Sequence, residues 1–144
     1  MDFGSTGRCS TRRFPKPASR PVKVMVIDDY PDSAVVVSLY LSMQGFEARY
    51  VTAPDAAQGE ASRYCPDIVL VDINMPGMDG FDVASAIRAT NVTREAVLIA
   101  HTSDEWRSIE ARALAVGFDG YFRKATSPQE LAPFLSAYIA DRTH

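Results

Sequence analysis

The chain has 144 residues, 47% hydrophobic and 23% charged, enough for one compact domain with its own core. A formal net charge of −3 gives no basis for nucleic-acid or membrane-surface binding, and no apolar run reaches the roughly 18 residues of a membrane span. Cys9 and Cys65 lack metal-ligand spacing and the N-terminus lacks the apolar core of a secretory signal, so a cytoplasmic chain with free thiols is expected.

Charge is unevenly spread. Arg8, Arg12, Arg13, Lys16 and Arg20 against Asp2 give residues 1–20 a charge of +4, and the remaining 10 basic and 17 acidic residues give the body −7. Glycine, serine, threonine and proline fill the leader with little apolar periodicity, so residues 1–20 read as a disordered basic arm and residues 21–144 as the folded domain. The arm is either solvated or an electrostatic contact, to an acidic partner or to the acidic body itself.

From residue 22 onward, short apolar runs alternate with amphipathic stretches. "VKVMVI" is a β-branched strand delivering Asp28 and Asp29. "PDSAVVVSLYLSMQGF" sets Ala34, Val37 and Leu41 at helical spacing, with Gly45 as its stop. "FEARYV" alternates as a strand, and "APDAAQGEASRY" is a short helix with Pro54 in its first turn and Gly59 inside it. "DIVLVD" is a buried strand ending at Asp72, and "MDGFDVASAIRA" a helix with Asp79 as N-cap. "AVLIAHT" ends a third apolar strand in a hydroxyl, and "SDEWRSIEARALAVG" places Ile109, Ala113 and Val116 on one helical face before Gly117. "GYFRK" is a fifth strand ending at Lys124. In the last helix Ser127 caps, Pro128 takes the first position, Glu130 completes a capping box, and Leu131, Leu135 and Tyr138 give the buried face.

Five such strand–helix units predict an α/β fold: a five-stranded parallel sheet, doubly wound, of flavodoxin-like (βα)5 type. In such sheets the functional crevice lies outside the carboxyl ends of the strands. Asp28, Asp29, Asp72, Thr102 and Lys124 would all meet there. Each has an innocent reading, as a helix cap or a solvated charge, but five at one edge point to chemistry. Crowded carboxylates repel, and a hard divalent cation with oxygen ligands resolves the conflict. A metal, a carboxylate nucleophile, a hydroxyl and a fixed ammonium suit phosphoryl transfer.

At these residues the chain resembles the receiver domain of two-component response regulators, over about residues 22–141. "VIDDY" is similar to that family's acidic pair, "VLVDINMPGMDG" to its phosphoacceptor strand and loop, "IAHTS" to its hydroxyl strand and "GYFRKA" to its lysine strand. The resemblance implies that Asp72 accepts a phosphoryl group from a phosphohistidine on a sensor histidine kinase or histidine phosphotransfer protein. It implies Mg2+, replaceable by Mn2+, on Asp28, Asp29 (one of the pair through water), Asp72 and the backbone carbonyl of Asn74. Thr102 and Lys124 would bind phosphoryl oxygens, with the small Ser103 following the threonine. Tyr121 would be the switch aromatic, turning inward as Thr102 moves, and Asn74 and Asp104 would tune the phosphoryl lifetime. Output would pass to an unidentified protein through the fourth helix, fifth strand and fifth helix. The protein would be a regulatory phosphoacceptor catalysing only its own phosphorylation and dephosphorylation.

Two positions depart from the family pattern. Ala125 replaces the usual proline after the lysine, and a cis bond before a non-proline costs roughly 2.5–4 kcal/mol, so a trans bond is expected. Tyr30 replaces a small polar residue and reads as packing beside the site. His101 reads as buried strand material, Trp106 as a partly exposed contact on the output face. A single-domain regulator is expected; the alternative is a receiver excised from a hybrid histidine kinase or larger regulator. A magnesium-dependent aspartyl phosphatase needs a second carboxylate two residues after its nucleophile, where Asn74 and Tyr30 stand instead. A flavin binder of this fold lacks its phosphate loop here.

Overall fold

The structure, a computed structural model, describes residues 4–140. The first three residues of the expected arm and the last four of the expected domain lie outside the described residues. Five strands form the predicted parallel core: β3 (Lys23–Ile27), β4 (Glu47–Val51), β5 (Ile68–Val71), β6 (Val97–Thr102) and β7 (Gly120–Arg123). The leader adds β1 (Thr6–Arg8), antiparallel to β7, so the sheet has six strands in the order β1-β7-β6-β5-β3-β4. A separate parallel pair joins β2 (Phe14–Pro15) to β8 (Ile139–Ala140).

Helices cover both faces. One face packs Met25, Ile27, Val69, Val71, Leu98 and Tyr121 against α2 (Ala57–Tyr64), α3 (Gly80–Arg88) and α4 (Trp106–Val116). The other packs Val24, Val26, Leu70, Ile99 and Phe122 against α1 (Pro31–Met43) and α5 (Leu131–Ser136). Successive strand residues serve opposite faces, which is why the central strands are apolar at every position. Full burial of each Val, Leu or Ile contributes about 1.5–3 kcal/mol.

Punctuation residues set where the helices begin and end. Gly45 takes φ 95° just after the C-terminal end of α1. Pro54 opens a 3-10 turn (Pro54–Ala56) that runs into α2, which carries Gly59 without a break. Asp79 caps α3, its side chain accepting from the Asp82 amide at 3.0 Å. A Cβ on Gly80 would collide with the carbonyl of Asp72 and lie 2.8 Å from Ile73 Cα, so only glycine lets α3 begin this close to the end of β5.

Three expectations are corrected. The leader is not a disordered arm over the described residues. Its backbone completes the open edge of β7, and Arg20 pairs with Asp67 through two hydrogen bonds of 2.8 and 3.0 Å. Main-chain pairing leaves no mark in hydropathy, and small polar residues do not prevent it. The last helix is shorter than its pattern promises. Glu130 N donates to the Ser127 carbonyl at 3.0 Å in a 3-10 turn (Pro128–Glu130), and Ser127 Oγ donates to Gln129 Oε1 at 3.2 Å in place of a capping box. Trp106 is 1% exposed, because it lies on the face of α4 that carries Ile109 and Ala113 inward.

Candidate functional site

The carboxyl ends of β3, β5, β6 and β7 bring the predicted residues together. Asp28 follows β3 and is 1% exposed; Asp72 follows β5 and is 6% exposed. Lys124 follows β7, its amide donating to the Thr102 carbonyl at 2.8 Å, which fixes the height of the lysine against the end of β6. Its Nζ lies 2.9 Å from Asp28 Oδ2 and 3.4 Å from Asp72 Oδ2. The chain contains no cis peptide among the described residues, so the Lys124–Ala125 bond is trans and the lysine still reaches both acids.

The other carboxylate oxygens are held from the backbone. Asp28 Oδ1 accepts from the Tyr30 amide at 3.0 Å, and Asp72 Oδ1 from the Asn74 amide at 3.2 Å. Oxygens of Asp28, Asp29 and Asp72 lie within 4.8 Å of one another, close enough for one ion to touch all three. This all-oxygen, triply anionic donor set fits a hard divalent cation such as Mg2+ and is a poor match for softer metals.

Electrostatics distinguish the acids. Burial pushes Asp72 up to about 6; Lys124 opposes the rise and the charge of Asp28 adds to it. Burial also works against ionised Asp28, but hydrogen bonds from the Tyr30 amide, Lys124 and Ser33 outweigh it and hold that carboxyl below its ordinary value. Burial likewise opposes the charge on Lys124, and the two acids reverse the effect, raising its pKa. Thus Asp28 and Lys124 form the fixed pair, and Asp72 is the acid left short of compensation.

Around this centre, Thr102 is fully buried and its Oγ1 accepts from the Asp104 amide at 3.2 Å. Tyr121 already points inward. Its ring packs 5.4 Å from that of Trp106, and its hydroxyl donates to the Asp104 carbonyl at 2.6 Å. Asn74 and Ser103 are exposed, Asp104 is half-buried, and Tyr30, expected to pack beside the site, is exposed. Burial pushes the His101 imidazole down to about 4, with Lys124 adding to the fall, so it is neutral and packed against Phe122. Two contributors escaped the sequence reading. Ser33 reaches Asp28 from the first turn of α1, a serine five residues after the acid being its faint signal. Asp119, 2% exposed, binds Arg88 at 2.6 Å and the Leu98 amide at 2.9 Å at the other end of β7.

Among the described residues no helix is long and apolar enough to cross a membrane. Residues 24–135 match the family described as response regulator receiver domain. The sensory transduction protein RegX3 of Mycobacterium bovis is 33% identical over 116 residues, which cover 81% of this chain and 50% of that protein, so the chain spans about half the length of this relative. The chemotaxis protein CheY4 of Vibrio cholerae superposes with a TM-score of 0.78 at 25% identity, over 83% of this chain and 99% of that one. The receiver domain of sensor histidine kinase PA1611 from Pseudomonas aeruginosa PAO1, solved with a magnesium ion coordinated in its active site cleft, superposes at 0.75 with 25% identity, over 84% of this chain and 99% of that one. With an acidic cluster, a hydroxyl and a lysine gathered at the carboxyl edge of a parallel sheet, this chain belongs to the response regulator receiver domain family of two-component systems.

Proposed function

We propose that Asp72 accepts a phosphoryl group from a phosphohistidine on a sensor histidine kinase or histidine phosphotransfer protein. The observation that carries this reading is Lys124 Nζ between Asp28 and Asp72, two of three converging carboxylates of which Asp29 is the third. An Asp72 oxygen attacks phosphorus in line with the leaving imidazole; the P–N bond breaks, its electron pair returns to the ring nitrogen, and an acyl phosphate remains. Mg2+ in the acidic cluster would neutralise phosphoryl charge, and Asp28, Asp29, Asp72 and the Asn74 carbonyl are the groups to hold it, with Mn2+ as a substitute. Lys124 and Thr102 take phosphoryl oxygens. Asn74 and Asp104, flanking the site, set how readily water reaches the acyl phosphate.

Output follows from charge. A phosphoryl group at Asp72 draws Lys124 and Thr102 toward it, and this favours the packing in which Tyr121 lies inward, on Asp104. The face formed by α4, β7 and α5 then presents one shape to an output partner in the cytoplasm. Incubation with a phosphorylated histidine phosphotransfer protein and Mg2+ should label the chain once, and Asp72→Asn should take no label. Labelling of Asp72→Asn at the parent level would remove Asp72 from this role.

A further inference from the structure

The proposed output face is already occupied in part by the chain itself. As the last parallel strand, β7 would offer an open row of N–H and C=O groups, a template for strand addition. β1 fills it: Thr6 pairs with Phe122, Gly7 with Tyr121 and Arg8 with Gly120. Arg123 N donates to the Ser5 carbonyl and Cys9 N to the Asp119 carbonyl, each at 2.7 Å. Beyond the strand, Ser10 Oγ and Arg12 Nε donate to Asp119 Oδ1 at 2.6 and 3.0 Å, and the Arg8 guanidinium lies 4.7 Å from the Tyr138 ring centre.

Cys9 packs against the core, and the rest of the contact is shallow. Asp119 Oδ2 accepts from Arg88 and from the Leu98 amide, so lifting the leader frees only Oδ1 of that carboxylate and leaves its buried charge paired. Arg8 Nε is buried without a hydrogen-bond partner among the described residues, a cost that the docked state bears and the lifted state does not. Where the leader begins, Gly4 and Ser5 border an open cleft of about 580 Å³ shared with Glu105, Trp106, Arg123 and Thr126. All three residues of β1 are half-buried, whereas β5 and β6 are buried throughout.

We infer that residues 5–12 are a displaceable strap occupying a strand-addition site on β7. The occupant that replaces it is an extended segment of the output partner, with small residues against Gly120 and Tyr121 and a hydroxyl or guanidinium for Asp119 Oδ1. This rests on the output face assigned under Proposed function. Strap and partner compete for one ladder, so partner affinity falls in proportion to the time the strap is docked.

The test uses the full chain carrying Gly7→Pro. Bonded positions at 5/123 and 9/119 place the next at 7/121 by antiparallel alternation, and proline deletes its N–H. Ser10→Ala with Arg12→Ala is the second variant, which releases the strap from Asp119 without touching the ladder. Residue-resolved hydrogen exchange compares the Arg123 amide, bonded to Ser5, with the Lys124 amide, bonded to Thr102. Arg123 should exchange at least about tenfold faster in both variants while Lys124 keeps its protection. If Gly7→Pro unfolds the domain, Lys124 loses protection as well, and the double variant decides. A labelled peptide of residues 4–13 with Cys9→Ser, added in trans, should bind the released chain saturably and the parent at least about tenfold more weakly. An Arg123 amide unchanged in the folded variants, or a peptide bound equally by parent and variants, would overturn the strap. Labelling of Asp72 is measured on the same proteins: its absence sinks the phosphoacceptor reading and leaves the exchange result standing.

Discussion

Asp72 is the residue on which opposing forces meet. As the proposed nucleophile it must be ionised, yet burial and the neighbouring Asp28 lift its carboxyl to about 6. A divalent cation bound there must displace that proton, so cation affinity depends on pH. We expect Mg2+ affinity, by calorimetric titration, to be level above pH 7 and to fall towards tenfold per unit well below pH 6; a flat profile from pH 5 to 7 would show that Asp72 is ionised without help. His101 carries the opposite sign. Its folded pKa, about 4, lies below the ordinary 6.5, so it binds fewer protons folded than unfolded, and its contribution is present above 6.5 and lost as pH falls toward 4. Asp72, raised from 3.8, binds more protons folded than unfolded between 3.8 and about 6, so there stability falls as pH rises. In chelator the two slopes offset. Asp72→Asn should be more stable than the parent at pH 7 by urea denaturation, and should lose up to about 3 kcal/mol through His101 between pH 6.5 and 4, with the depressed Asp28 adding to the loss at the acid end.

At the scale of elements, helix starts and strand ends decide where the chemistry sits. Gly80 begins α3 against the Asp72 carbonyl, where a side chain has no room. Gly80→Ala should cost about 2–4 kcal/mol in denaturant unfolding and slow phosphorylation, because α3 and the end of β5 must part. Gly59 lies inside α2, and a Cβ there would meet only the Arg63 guanidinium, at 3.9 Å. Gly59→Ala should therefore gain about 0.5–1 kcal/mol and leave phosphorylation unchanged. Both positions look alike in the sequence, each a glycine near a short helix. The strands and their terminal acids, hydroxyl and lysine were legible because continuous β-branched runs have few other uses, and Asp79 was legible because a cap needs only its own helix. The short α5 was not, since its six residues depend on a 3-10 entry that backbone bonds decide.

The molecule as a whole is a parallel sheet with a site at its carboxyl edge and a strap on one flank. The site was readable because five polar side chains of three types stand at strand ends, where topology alone brings them together. The strap was not: β1 contributes backbone to a ladder, and Thr6, Gly7 and Arg8 show no apolar alternation. The inward Tyr121 and the buried Trp106 depend on how α4 lies over β7, a tertiary fact that helical spacing hints at through Ile109 and Ala113 but does not decide. The proposed function comes down to one bond, an acyl phosphate on Asp72 formed in a cation-dependent site. Phosphorylation with acetyl phosphate, reduction by borohydride to trap the acyl phosphate, and peptide mass spectrometry locate that bond directly. The modification should fall on Asp72 alone, require Mg2+ or Mn2+, and vanish in chelator; modification of Asp28 or Asp29 in its place would remove Asp72 as the phosphoacceptor, and equal labelling without a divalent cation would remove the cation from the step.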